Sequence, residues 1–187
     1  MKEAFASEHA EEKSRHTWRE AAREAGKNNF IQEALDKEMQ GPIGQRVREL
    51  LDYNATLEKN ADFKSLINKR SINRAKESKT LLPLTQARAE SLGLDWYIWR
   101  TSEDQRVRDS HKLMDKVLCR FSDPPSPEAL NGEANIGTYN PNGVFDCRCY
   151  AEPVILWKNI VWPHRVHVNG QIRTMSKSEF QKEFGNK

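Results

Sequence analysis

Apolar residues follow two different rhythms along this chain, and the change falls at Gly93. Residues 1–40 are rich in Glu, Lys, Arg and Ala, so helix is the local preference, but large apolar side chains are sparse. Phe5, Trp18, Phe30, Ile31 and Leu35 are the anchors there besides Met1 and Met39. Short helices with few anchors are marginal in water, because nucleation is costly. This segment is therefore expected to be an arm ordered by a partner, with Trp18 as the partner-binding residue. Gly41-Pro42 breaks the chain. Beyond it Ile43, Val47, Leu50, Leu51 and Leu57 recur at helical spacing, followed by Phe63, Leu66, Ile67 and Ala75 on a second amphipathic stretch. Pro83 should kink or end that helix. A short helix from about Leu84 to Leu92 should then stop at Gly93, which suits a left-handed C-cap.

From Asp95 onward the period shortens. Asp95–Thr101 is aromatic and β-branched and reads as a strand, Val117–Phe121 as a second, and Arg148–Leu156 as a third, placed at an edge by Pro153. Arg165–Thr174 reads as a β-hairpin around Asn169-Gly170, since Asn-Gly supplies the positive φ angles of a type I′ turn. Ser176 and Glu179 have capping-box spacing and should open a last helix carrying Phe180 and Phe184. The run of Pro124, Pro125, Pro127, Gly132, Gly137, Pro141 and Gly143 suggests a long loop without regular structure. The predicted class is α+β: an arm over 1–40, a helical region over 41–93, and an α+β domain of short antiparallel strands with a terminal helix over 94–187.

Composition narrows the function. Only 37% of the residues are hydrophobic and mean hydropathy is −0.85, which implies a thin core. All tryptophans except Trp18 lie from Trp96 onward, so the core should be C-terminal, with Trp96, Trp99, Trp157 and Trp162 as anchors. The net charge of +3 does not demand a nucleic-acid partner. The run Lys64–Lys79 is locally basic and offers either a solvated helix face or a DNA contact. No segment reaches the roughly 18 apolar residues of a membrane helix and no signal peptide opens the chain, so a cytoplasm-like compartment without membrane contact is expected. Three cysteines, two of them flanking one residue, do not form a secreted disulfide framework.

Two clusters could carry chemistry. Asp104, Arg106, Arg108, Asp109 and His111 crowd one short segment. They read either as an Arg–carboxylate network holding the domain together or as a hydrolase set with His111 as base and the arginines on phosphate. No phosphate loop, nucleophile elbow or His-Glu-x-x-His helix supports the second reading. The other cluster is Cys147-Arg148-Cys149. On a strand these thiols would point to opposite faces; on a turn they could converge, with His111 as third ligand and Cys119, Asp109 or Asp146 as fourth. Thiolates with imidazole would select Zn²⁺. The alternative is buried thiols beside a satisfied histidine, with no cofactor. His164 and His167 flank the hairpin and read as surface or packing residues.

These clusters lie inside two longer blocks. The first is Trp99-Arg100-Thr101, Asp104, Arg106-Val107-Arg108, Ser110-His111, running on to Asp115. The second is Pro141-Asn142-Gly143, Cys147-Arg148-Cys149, Pro153-Val154. In order and separation they resemble the paired motifs of phage minor head proteins, the Mu F-like head morphogenesis family. Arg88 and Gly93–Trp99 are similar to that family's lead-in. Met114 stands where Leu is common, Lys116 where Gly is usual, and Pro83 interrupts a helix that is normally continuous. Relatives carry further Cys or His near both blocks where this chain has Ser110 and Asn142, so an implied ligand set is incomplete here. The N-terminal part is short for the family, which implies a truncated or compact member.

The resemblance implies a structural, non-enzymatic minor head protein, found in the virion and in the host cytoplasm during assembly. Its partners would be the portal protein and capsid or scaffold proteins. The alternatives from the residues are a nucleic-acid hydrolase using His111 with Asp104 or Asp109 and Arg106 or Arg108, and a zinc-stabilised adaptor.

Overall fold

The computed structural model describes residues 29–60, 83–144 and 147–185. Trp18, the Lys64–Lys79 run, the stretch carrying Phe63, Leu66, Ile67 and Ala75, and Asp146 lie outside the described residues. The chain divides into two compact units, Met1–Pro42 and Ile43–Lys187. In the first, helix α1 spans Asn29–Gln40.

The second unit begins within α2, Pro42–Asn60, the helix that the Ile43–Leu57 spacing predicts, with Pro42 at its first position where a missing N–H costs nothing. Helix α3 covers 83–91. It ends before Gly93, whose φ of +71° and N–H bond to the Glu90 carbonyl make the expected left-handed stop. Arg46 of α2 forks onto Glu90 of α3 at 2.8 and 3.2 Å.

Strands β1 (Trp96–Arg100), β2 (Leu118–Arg120), β3 (Tyr150–Pro153), β4 (His164–Val168) and β5 (Gln171–Met175) form one sheet in the order β3-β1-β2-β4-β5. The architecture is α+β, helices followed by a five-stranded sheet and a terminal helix. The strands are antiparallel apart from β2 and β4, which pair in parallel at Leu118–Val166. The expected antiparallel pairing holds for three of the four strand pairs. The chain leaves β2, places β3 on the far side of β1, and returns to β2 only at β4, and a crossover of this length permits parallel pairing. The hairpin forms as predicted, with φ of 49° at Asn169 and 76° at Gly170.

Strand alternation gives the sheet two buried faces. Tyr97, Trp99, Val117, Cys119 and Ala151 join Met114, Tyr139, Cys147 and Cys149 in one cluster, which also takes Leu57 and Ala89 from the helices. Trp96, Leu118, Val154, Val166, Val168 and Met175 join Phe180 in the other. Phe180 belongs to helix α6, Lys177–Phe184. Its capping box is complete: Ser176 Oγ accepts from Glu179 N at 3.3 Å and Glu179 Oε2 accepts from Ser176 N at 2.7 Å.

Two short helices were not legible in the sequence. Helix α4, Asp109–Met114, follows β1 and buries Ser110, His111 and Met114. Helix α5, Pro127–Leu130, corrects the reading of 124–143 as wholly irregular. Pro127 presets φ at its start and Glu128 favours the N-terminal dipole, enough for a single turn once neighbours pack on it.

Lys116 adopts φ of +60° in the turn between α4 and β2, while its N–H bonds the Trp99 carbonyl at 2.8 Å. The turn keeps a left-handed backbone although its side chain is not glycine's. That conformation costs a non-glycine residue about 1–2 kcal/mol. Part of the gain from glycine is offset by its greater chain entropy when unfolded. Lys116→Gly should therefore stabilise the protein by about 0.5–1 kcal/mol. Equilibrium denaturation checks this, and a destabilised variant would show that the turn's strain is carried elsewhere.

Candidate functional site

The two sequence blocks meet on the sheet face that carries Trp99. At the end of β1, Thr101 donates its N–H and its hydroxyl to Asp115 Oδ1, at 3.0 and 3.1 Å. This ties the start of the first block to the end of α4. Arg165 of β4 donates to the carbonyls of Leu113 (3.0 Å) and Asp115, fixing the same C-terminal end of the helix from the sheet. Asp104 accepts a forked pair from Arg148, at 2.5 and 2.7 Å, and the N–H of Arg106 at 2.9 Å. The Arg148 guanidinium holds the Asp104 carboxyl well below the usual carboxylate range. Planar guanidinium and carboxylate match in geometry, so the pair sets orientation as well as attraction. It pins the Cys-x-Cys segment to the first block.

The second block starts with a tight turn. Gly143 N bonds Asn140 O at 3.0 Å, with Pro141 and Asn142 at the corners. Asn142 has φ of +62°, the value a type II turn needs at its third position. Gly143 is required by space: a Cβ there would lie 2.9 Å from Asn140 O and 3.0 Å from Tyr139 Cβ. The turn aims Asn142 N at Cys147 Sγ, 3.2 Å away.

His111 is the hub. Its Nδ1 lies 3.4 Å from Cys147 Sγ and 3.5 Å from Cys149 Sγ. Cys147 and Cys149 lie in irregular backbone before β3, so the opposite-face rule for strands does not apply and both thiols converge. On the other side of the ring, Nε2 lies 2.9 Å from Tyr139 Oη. Tyr139 Oη in turn lies 2.6 and 2.7 Å from the two oxygens of Glu128. All five residues are buried. Trp99 closes the site edge-on to His111, with ring centroids 5.7 Å apart.

In the neutral imidazole, the hydrogen count fixes the tautomer. Tyr139 has one proton, and ionised Glu128 can only accept it. The contact between Tyr139 and His111 is then Nε2–H donating to the phenol oxygen, which leaves Nδ1 facing the sulfurs. Burial disfavours a charged His111, but the hydrogen bonds that its charged form donates to Cys147 and Glu128 outweigh it and raise its pKa to about 9. Burial likewise opposes ionisation of Cys147, yet hydrogen bonds from Cys149 and His111 bring its pKa well below the ordinary thiol value. Cys149 is pushed up, first by its bond to Cys147 and then by burial. Burial opposes ionisation of Glu128 too, and hydrogen bonds from His111 and Tyr139 bring it below its usual value.

Removing the phenol proton should expose the cost of this arrangement. Tyr139→Phe leaves a buried carboxylate without its phenol donor, a loss of about 1–3 kcal/mol. Chemical denaturation of the two proteins measures it, and an unchanged stability would mean that His111, 3.6 Å away, replaces the phenol.

The other sequence candidates stand apart from this hub. Asp109 is exposed and pairs with Lys112 at 2.7 Å. Cys119 is buried against β1 and its thiol donates to Val117 O at 3.6 Å. His167 is buried behind Asp123, 3.8 Å away, and burial lowers its pKa. Glu128 and Tyr139 were not foreseen. They sit in the proline- and glycine-rich segment, where no periodicity marks a buried side. A shallow pocket lined by Ser102, Val107, Arg108, His111, Cys147 and Cys149 opens onto the thiols. No helix among the described residues is long and apolar enough to cross a membrane.

An uncharacterized protein of Haemophilus influenzae (strain ATCC 51907 / DSM 11121 / KW20 / Rd) is 31% identical to this chain over 136 residues. The match takes in 73% of the chain and 26% of that protein, so the chain spans about a quarter of the length of this relative. No protein-family model matches the chain, and no solved structure matches it.

Proposed function

We propose that this chain is a structural minor head protein of a tailed phage or prophage, of the Mu F-like kind, acting at the portal vertex in head assembly or genome delivery. One observation carries the reading: the polar residues of the two blocks bond chiefly to one another. Asp104 engages Arg148, Thr101 engages Asp115, and His111 engages the Cys147 and Cys149 side. Groups bonded in this way brace a fold; a hydrolase would aim them at a substrate. The acids of the nuclease alternative also lack a common focus. Asp104 is clamped by Arg148, Asp109 is paired with Lys112, and His111 bonds neither. Trp18 and the Lys64–Lys79 run are the proposed contacts with portal and DNA, and the virion is the proposed location.

Mass spectrometry of purified heads and virions tests the proposal, with the protein expected in a few copies alongside portal. Absence from both, together with a nuclease activity abolished by His111→Ala, would overturn it.

A further inference from the structure

We infer that His111 Nδ1, Cys147 Sγ and Cys149 Sγ form a binding site for a thiophilic divalent cation, Zn²⁺ by ligand chemistry, with a fourth position open to a non-protein ligand. The three ligand atoms lie within 4.8 Å of one another, and all three side chains are buried. Zn–N of about 2.0–2.1 Å and Zn–S of about 2.3 Å at the tetrahedral angle put nitrogen and sulfur about 3.6 Å apart. The two such distances here are 3.4 and 3.5 Å. The donor atoms therefore already stand near the spacing that a tetrahedral ion imposes.

Two sulfurs approach the single Nδ1 almost equally. A cation satisfies all three donors at once. Two thiolates and a neutral imidazole also neutralise a divalent charge, which suits a buried site. Soft sulfur with imidazole selects Zn²⁺ over Mg²⁺ or Ca²⁺.

The surrounding groups are those a metal centre uses. Tyr139, held by Glu128, accepts a hydrogen bond from the Nε2–H of His111 and leaves the Nδ1 lone pair toward the sulfurs. Such outer partners fix the ligand's tautomer and ring plane. Asn142 N–H reaches Cys147 Sγ, as backbone amides do with thiolates. Cys119, with its own partner elsewhere, is not a ligand. The shallow pocket that Ser102, Val107 and Arg108 complete is lined by all three ligand residues, so the fourth position is assigned to it. A water or small anion entering there would finish the coordination shell.

The test uses the whole 187-residue chain, expressed without a histidine tag and purified under reducing conditions without chelators. Elemental analysis should find about one zinc per chain, taking one tetrahedral site of this kind. Replacement by Co²⁺ should give intense visible d–d bands and near-ultraviolet sulfur-to-cobalt charge transfer. Cys147→Ser and Cys149→Ser should each lose the metal, Cys119→Ser should keep it, and Tyr139→Phe should bind it about 10–100-fold more weakly. A second measurement does not depend on the variants folding. Zn²⁺ should protect Cys147 and Cys149 of the native chain from alkylation, mapped by peptide mass spectrometry. Reduced, folded protein that takes up neither Zn²⁺ nor Co²⁺ would overturn the inference. So would metal content unchanged in both Cys147→Ser and Cys149→Ser. Rapid alkylation of Cys147 regardless of added metal would point to a thiol nucleophile instead.

Discussion

Trp99→Ala is expected to destabilise the protein by about 3–5 kcal/mol, the range for removing a fully buried tryptophan. The side chain has no exposed surface and sits in the larger core cluster between sheet and motif blocks. Its ring meets His111 edge-on and lies 6.3 Å from the Tyr139 ring, so the cavity would open beside the hub itself. Two effects should therefore appear together. Denaturant titration should show the loss of stability. Alkylation of Cys147 and Cys149 in the still-folded variant should accelerate, because the wall over the thiols is gone. A loss below about 1.5 kcal/mol would mean that neighbouring side chains collapse into the space, against the usual partial relaxation of packed cores.

The second large effect is Phe180→Ala, also expected to cost about 3–5 kcal/mol. Phe180 is 1% exposed and anchors α6 to the opposite face of the sheet. Its ring lies 4.9 Å from Trp96, 5.0 Å from Trp162 and Phe184, and 5.3 Å from Trp157. Tilted and edge-on aromatic pairs add about 0.5–1.5 kcal/mol each beyond the area they bury. Loss of this ring removes the hub of the cluster and frees the helix that the Ser176–Glu179 box begins. The site on the far face should be unaffected while the sheet stands. Under native conditions, thiol alkylation at Cys147 and Cys149 should match the parent protein. Faster alkylation at equal folded fraction would show that the two faces are coupled through the sheet, contrary to this expectation. The pair of variants thus separates stability in general from stability of the hub.

Local signals determined much of this protein. The aromatic and β-branched run at Trp96–Trp99 set a strand. Asn169-Gly170 specified the hairpin, and the Ser176–Glu179 spacing specified the start of the last helix. Gly93 marked the end of α3. Each of these depends on backbone preferences or side-chain periods within a few residues, so the sequence alone carries them. The two motif blocks were also legible, as lists of polar residues. The meeting of His111 with Cys147 and Cys149 was legible as one alternative, and the remaining pairings were not. His111 and Tyr139 are 28 positions apart, and Arg148 and Asp104 are 44. Which donor meets which acceptor across such loops depends on how the sheet orders its strands. The parallel contact of β2 with β4 is the clearest case, because no local pattern encodes a crossover. The same holds for the thiols. A strand at Cys147–Cys149 would have parted them, whereas the irregular backbone held by Arg148 and the Asn140–Gly143 turn turns both toward one nitrogen. Periodicity determines which side of an element is buried, and only the assembled fold determines what the buried groups face.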